Sequence, residues 1–218
     1  MKCAQCWKPT TLCLCEQLHP VASRLRVLVL QHPQEARNPR STARLVSLVL
    51  PNTVHRVGLS WRSLAAALGE LATPSEWGIL YVGQAKEAER LAKDQAVHVL
   101  SKKKKLKDLK GVVVLDGNWK QSKTLWWRNP WMQRLHRMIL TLPEKKSRFV
   151  ARQPRKSCIC TLEAVSEILK AYQDKPATYG ELDRSFDIFV ERLQAPRGVP
   201  VVACTEPMPL SEVPRESV

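Results

Sequence analysis

Three stretches of this chain are apolar almost throughout over the length of a β-strand: residues 25–31 (LRVLVLQ), 78–83 (GILYVG) and 111–115 (GVVVL). A strand with one wet face alternates polar and apolar side chains, whereas a continuously apolar strand has both faces covered, usually by helices on either side of a parallel sheet. Helical patterns fall between and after these runs, at 41–50 ending before Pro51, at 63–71 with Pro74 beyond, and at 84–93, 161–172 and 179–193. Shorter runs at 97–100, 137–142 and 148–151 offer further strands. The alternation predicts an α/β domain with a mostly parallel sheet flanked by helices. Ligands of such sheets bind at the carboxyl ends of the strands.

The size of the chain bears on its cysteines. A chain of 218 residues buries about 70% of its unfolded surface, so its core needs no disulfide staples. Four of the seven cysteines nevertheless crowd the N-terminus as Cys3-x2-Cys6-x6-Cys13-x-Cys15. Two close pairs of thiolates complete a tetrahedral S4 site for Zn²⁺, and a closed site of this kind is structural. Residues 1–20 are therefore expected to form a zinc-binding knuckle, linked through 17–23 to a domain spanning 21–205, with 206–218 a loose tail. The alternative is a flexible arm of free thiols. Cys158 and Cys160 are expected to be buried core thiols, and His32 and His55 to be structural. The beginning of the chain lacks the apolar run of a signal peptide, and no stretch reaches the roughly 18 apolar residues of a membrane span. A cytosolic protein with reduced thiols and no membrane partner is expected.

The strand at 111–115 delivers Asp116-Gly117-Asn118-Trp119 at its carboxyl end. Asp116 there is a candidate base. It fits equally well as the cap of a helix starting near Trp119.

Taken together, Asp116-Gly-Asn-Trp119, Asn129-Pro130, and Arg152-Gln-Pro154 leading into Cys160-Thr-Leu-Glu-Ala-Val165 resemble the DTW-domain family, whose signature is D-x-T-W. The cysteine spacing resembles that family's zinc knuckle, and Gln31-His-Pro-Gln-Glu35 with Ser41-Thr-Ala-Arg44 its first loop. The resemblance runs from Cys3 to about Arg192, with Asn118 where the family has Thr. It implies a tRNA-uridine aminocarboxypropyltransferase with S-adenosylmethionine as co-substrate and a structural Zn²⁺, on a SPOUT-like fold with a C-terminal trefoil knot. The variable loop of tRNA is then the first candidate for the modified uridine. By position, the resemblance assigns Asp116, Asn118 and Trp119 to catalysis. Gly83, Leu115, Gly117, Arg152, Thr161 and Glu163 fall to the co-substrate. Thr161 and Glu163 read equally as an N-cap and its first-turn acid.

The formal net charge of +15 favours a polyanionic partner such as RNA. Positive charge gathers at Lys102, Lys103, Lys104, Lys105 and Lys107, and again at Arg148, Arg155 and Lys156. Phosphate contacts of this kind supply salt-dependent, sequence-independent affinity. Lys2 and Lys8 are expected to add to that surface. Helical spacing turns Trp119, Trp126 and Trp127 toward the core, while at least one of these or Trp131 is free to stack on a base. A SPOUT-type RNA methyltransferase and a non-catalytic RNA-binding module are the competing readings.

Overall fold

A computed structural model describes residues 2–83, 97–99, 109–141 and 159–195. Its centre is a six-stranded sheet in the order β2-β1-β5-β3-β6-β4. The strands are β1 (Arg26–Gln31), β2 (Val54–Val57), β3 (Trp77–Gly83), β4 (Val97–Val99), β5 (Gly111–Asp116) and β6 (His136–Thr141). Every pairing is parallel, as the continuous apolar runs predict. β2 escapes the sequence pattern because it is a short edge strand, VHRV, with no fully buried residue. The expected helix at 84–93, the strand at 148–151, the tail at 206–218, and Cys158 and Cys204 lie outside the described residues.

Helices cover both faces. α1 (Ala43–Val49), α4 (Thr161–Ala171) and α5 (Pro176–Gln194) pack one face, where Val27, Val29, Val112 and Val114 meet Leu45, Val46, Leu162, Ile168, Phe186 and Phe189. α2 (Leu64–Leu68) packs the other, where Leu28, Leu30, Ile79 and Val113 meet Leu64, Ala67 and Met132. α3 (Trp119–Arg128) follows β5 directly. Each fully buried Leu, Val or Phe in these layers contributes about 1.5–3 kcal/mol. α2 is shorter than its apolar pattern because Gly69, with φ of 87°, ends it in the left-handed conformation. Leu71 beyond it is exposed.

The cysteine segment packs on this body. Cys3, Cys6, Cys13 and Leu14 share one buried cluster with α1, α4 and α5. Residues 17–23 are bonded along their length to the helices, as in Val21 N–H to the Val49 carbonyl (2.8 Å), Thr178 Oγ1 to the Ala22 carbonyl (3.1 Å) and Arg184 Nη2 to the Gln17 carbonyl. Lys8 is only 2% exposed and so does not contribute to an outer basic surface as expected. Its ammonium lies 4.3 Å from the centre of the Phe189 ring and donates to the carbonyls of Pro39 (3.1 Å) and Ser41. No helix among the described residues is long and apolar enough to cross a membrane.

Candidate functional site

β5 runs between β1 and β3, and the two neighbours hold it differently. β1 is in register along its whole length, from Arg26↔Gly111 to Gln31↔Asp116. The register with β3 ends at Ile79↔Val113, although β3 itself continues to Gly83. Beyond that pair no ladder ties the carboxyl ends of β3 and β5 together among the described residues. Asp116 stands at this end, 6% exposed, on the face that α1 and α4 cover.

Three separate segments converge on its carboxylate. Gln31 Nε2 donates to Oδ2 at 2.7 Å, Ser41 Oγ reaches the same oxygen at 3.5 Å, and the Thr161 hydroxyl donates to Oδ1. Gln31 is itself oriented on both sides: its Nε2 also donates to Ser41 Oγ (2.8 Å), and its Oε1 lies 3.0 Å from His55 Nε2. An amide oxygen can only accept, so His55 carries its proton on Nε2. Burial and the nearby Arg44 hold His55 down to about 4, so it is neutral at physiological pH. His32 Nδ1 accepts from the Gln34 N–H at 3.2 Å, which leaves it a structural part of the first loop. Burial pushes the Asp116 carboxyl above the usual range, against the hydrogen bonds from Thr161 and Gln31 that favour its charged form. A carboxylate offers about four acceptor sites, and these three donors leave room for one more.

The helix after the strand is capped by Asn118 and not by Asp116. Asn118 Oδ1 accepts the Gln121 N–H at 3.1 Å while Gln121 Oε1 accepts the Asn118 N–H at 2.7 Å, a reciprocal capping box. Asp116 is thereby released from the capping reading. Gly117 is required between them, because a Cβ there would stand 2.8 Å from the Cβ of Gln121. Trp119, the first helical residue, is 75% exposed, and Trp127 is 67% exposed. The expectation that helical spacing turns these two into the core fails because Gln121 and Leu125 form the buried stripe of α3. Trp126 and Trp131 do pack against the α2-side core.

The residues expected to serve a small ligand divide in the same way. Thr161 and Gly117 lie beside Asp116, and Gly83 ends the adjacent strand. Leu115 faces the opposite side of the sheet, in the α2 core. Glu163 completes a second capping box, in which its carboxylate accepts the Cys160 N–H at 3.0 Å and Cys160 Sγ accepts the Glu163 N–H at 3.4 Å. Cys160 is thus the N-cap of α4, half-buried, where a core thiol was expected. Arg152 and the basic residues Lys102, Lys103, Lys104, Lys105, Lys107, Arg148, Arg155 and Lys156 lie outside the described residues.

The four N-terminal cysteine sulfurs lie within 4.8 Å of one another, three of the residues being buried. Cys3 Sγ and Cys15 Sγ are 3.7 Å apart. A tetrahedral ion bonded at about 2.3 Å needs edges of about 3.8 Å between its sulfurs, so this group could hold a metal ion with little movement. Hydrogen bonding from Cys15 lowers the Cys6 thiol to about 5, and Cys15 is raised in turn. A metal held there would take the sulfurs as thiolates, so its binding would release protons.

Gln31, Ser41, Thr161 and the buried Lys8 make up the surroundings of Asp116. In the sequence, Thr161 is named for the co-substrate, and Gln31 and Ser41 fall in the first-loop motifs without a role toward Asp116. A second signal for Gln31 is that it is a polar residue ending an otherwise buried strand.

The DTW domain profile matches residues 1–194. The chain is 24% identical over 190 residues to tRNA-uridine aminocarboxypropyltransferase 2 of Drosophila melanogaster, covering 80% of this chain and 68% of that protein. No solved structure matches the chain.

Proposed function

The chain belongs to the DTW domain family, and from that premise we propose that it transfers the 3-amino-3-carboxypropyl group of S-adenosylmethionine to N3 of a uridine in tRNA, the variable loop first. The observation that carries the reading is the Asp116 carboxylate, buried, oriented by three donors and kept above the ordinary carboxylate range. Uridine N3 bears a proton that must leave as the new N–C bond forms, and a carboxylate whose pKa has risen toward neutrality is the better base for it. S-adenosylmethionine supplies the activated Cγ and departs as 5′-methylthioadenosine. Gly83, Gly117 and Thr161 at the strand and helix ends, with Arg152, are the residues assigned to hold it. A donor set fixed by Gln31 and Thr161 keeps the carboxylate from turning away between substrates.

Asn118 strengthens this reading. The family's Thr and the Asn of this chain are both good N-caps, and the Asn118 side chain is occupied by the capping box. The departure from D-x-T-W therefore keeps the helix start and costs no reacting group. The remainder of the proposal follows the family: a SPOUT-like knotted sheet, with β5 entering between the earlier β1 and β3, a structural Zn²⁺ at Cys3, Cys6, Cys13 and Cys15, a cytoplasmic location, and Lys102 to Lys107 guiding tRNA. Trp119, exposed one residue beyond the Asn118 cap, is assigned to the RNA next to the reacting uridine.

The test is incubation of the purified protein with S-adenosylmethionine and unmodified tRNA, reading nucleoside masses and by-products. A uridine heavier by the aminocarboxypropyl group, with stoichiometric methylthioadenosine, is expected. Methyluridine with S-adenosylhomocysteine would replace the reading by methyl transfer, and bound tRNA with no adduct would replace it by a binding module.

A further inference from the structure

Tryptophan is usually well buried, yet α3 leaves two of its three in water, Trp119 and Trp127. Trp119, Lys123 and Trp127 follow one another at four-residue steps. Each step is about 6 Å along the axis and about 40° around it. They therefore form one slowly winding stripe, with the two tryptophans offset by about 12 Å along the axis and about 80° around it and the lysine between them. Lys120 and Arg128 are exposed beside the stripe, and no acidic residue occurs from Gly117 to Pro143.

This helix is held firmly from beneath. Its first turn is locked by the capping box, and just past its last residue Asn129 is fully buried. The Asn129 side chain donates to the carbonyls of Leu59 (3.0 Å) and Leu125 (2.7 Å) and accepts the Trp61 N–H (2.8 Å). Ser60 Oγ donates to the Arg128 carbonyl at 3.0 Å. The outer face is thus presented on a helix whose backbone is held at both ends.

We infer that the outer face of α3 is a docking surface for unpaired nucleotides of the RNA substrate, with Trp119 and Trp127 stacking on separate bases and Lys120, Lys123 and Arg128 meeting phosphates. The inference rests on the tRNA reading above and extends it from the reacting uridine to the strand beside it. Aromatic faces interleaved with cations are what a single strand requires, since every base has a π-face and every linkage a charge. A purely apolar partner would leave three cations unmatched. The stripe starts one residue after the Asn118 cap, so a strand lying on it leads toward Asp116.

The test measures binding of an unmodified tRNA transcript, with no transfer required. Trp127→Ala should weaken binding by roughly five- to a hundredfold, the value of one stacked base, while Trp127→Phe retains most of the affinity. Lys123→Ala should lower the slope of log K against log salt by about one. Both side chains are exposed, so thermal melting should match wild type. Wild-type binding with an unchanged Trp127→Ala variant overturns the surface while leaving the tRNA reading intact. Absence of wild-type binding overturns the tRNA reading and the surface with it. Unchanged tRNA binding accompanied by lost self-association in sedimentation would assign the face to protein contact and likewise overturn the inference.

Discussion

The cysteine cluster and the Asp116 site are both polar groups enclosed by one apolar core, but they are put together in opposite ways. Cys3, Cys6, Cys13 and Cys15 come from thirteen consecutive residues, and local turns suffice to bring their sulfurs within 4.8 Å. Gln31, Ser41, Asp116 and Thr161 come from four segments that meet only because β1 pairs with β5 and α4 packs behind them. A local site needs a short loop, and a distributed site needs the whole sheet. The two are joined by Lys8, which lies within the cysteine loop and donates to the Ser41 carbonyl, while Ser41 Oγ faces Asp116.

The largest effect expected from disturbing this arrangement is at the cysteine cluster, which could hold a metal ion. Cys6→Ser should abolish stoichiometric metal binding and, because the cysteines share the core of α4 and α5, lower the melting temperature of the whole domain. A loss of about 3 kcal/mol corresponds to roughly 6–12 °C at this size. A variant that loses metal but melts like wild type would show the cysteine segment to be energetically separate.

A smaller effect tests the link. Lys8→Met keeps an unbranched side chain over Phe189 but removes the donor to two carbonyls, an expected cost of about 1–3 kcal/mol. With the loop at Ser41 loosened, kcat should fall roughly tenfold with KM and metal content unchanged. Unaltered kcat would mean that the two regions share only a core.

The smallest is a shift in pH dependence. The Thr161 hydroxyl favours the ionised form of Asp116, so Thr161→Val should raise the carboxyl further. The acid limb of the pH–rate profile then moves to higher pH, and the plateau rate falls as well, because Thr161 also orients the carboxylate. A shift to lower pH would contradict the hydrogen-bond assignment.

The same contrast governs what could be read from the sequence. β1, β3 and β5 are legible because strands buried on both faces are apolar throughout, and the cysteine set because its spacing is local. β2 is not, since an edge strand such as VHRV has no such constraint. Gln31 and Ser41 are legible only as first-loop motif residues without a role; the register Gln31↔Asp116 creates that role. Lys8 reads as a surface cation until the fold buries it against Phe189. Trp119 and Trp127 mislead in the other direction. Their helical spacing suggests core, but the capping box commits Gln121 and with it the buried stripe of α3.

Asp116 is the proposed base of the transfer, and one paired measurement decides it: single-turnover aminocarboxypropyl transfer by wild type and Asp116→Asn, with tRNA affinity measured on the same preparations. Asparagine is nearly isosteric and can still accept from Gln31, so the fold should survive. Because the carboxyl is raised in the folded protein, its ionisation weakens the fold as pH rises from the ordinary carboxylate value through the raised one. The variant, which lacks that charge, should be no less stable at neutral pH. The predicted result is a rate lower by about 10²–10⁴-fold, the usual worth of a general base, with tRNA affinity and metal content unchanged. Transfer by Asp116→Asn at the wild-type rate would contradict the account.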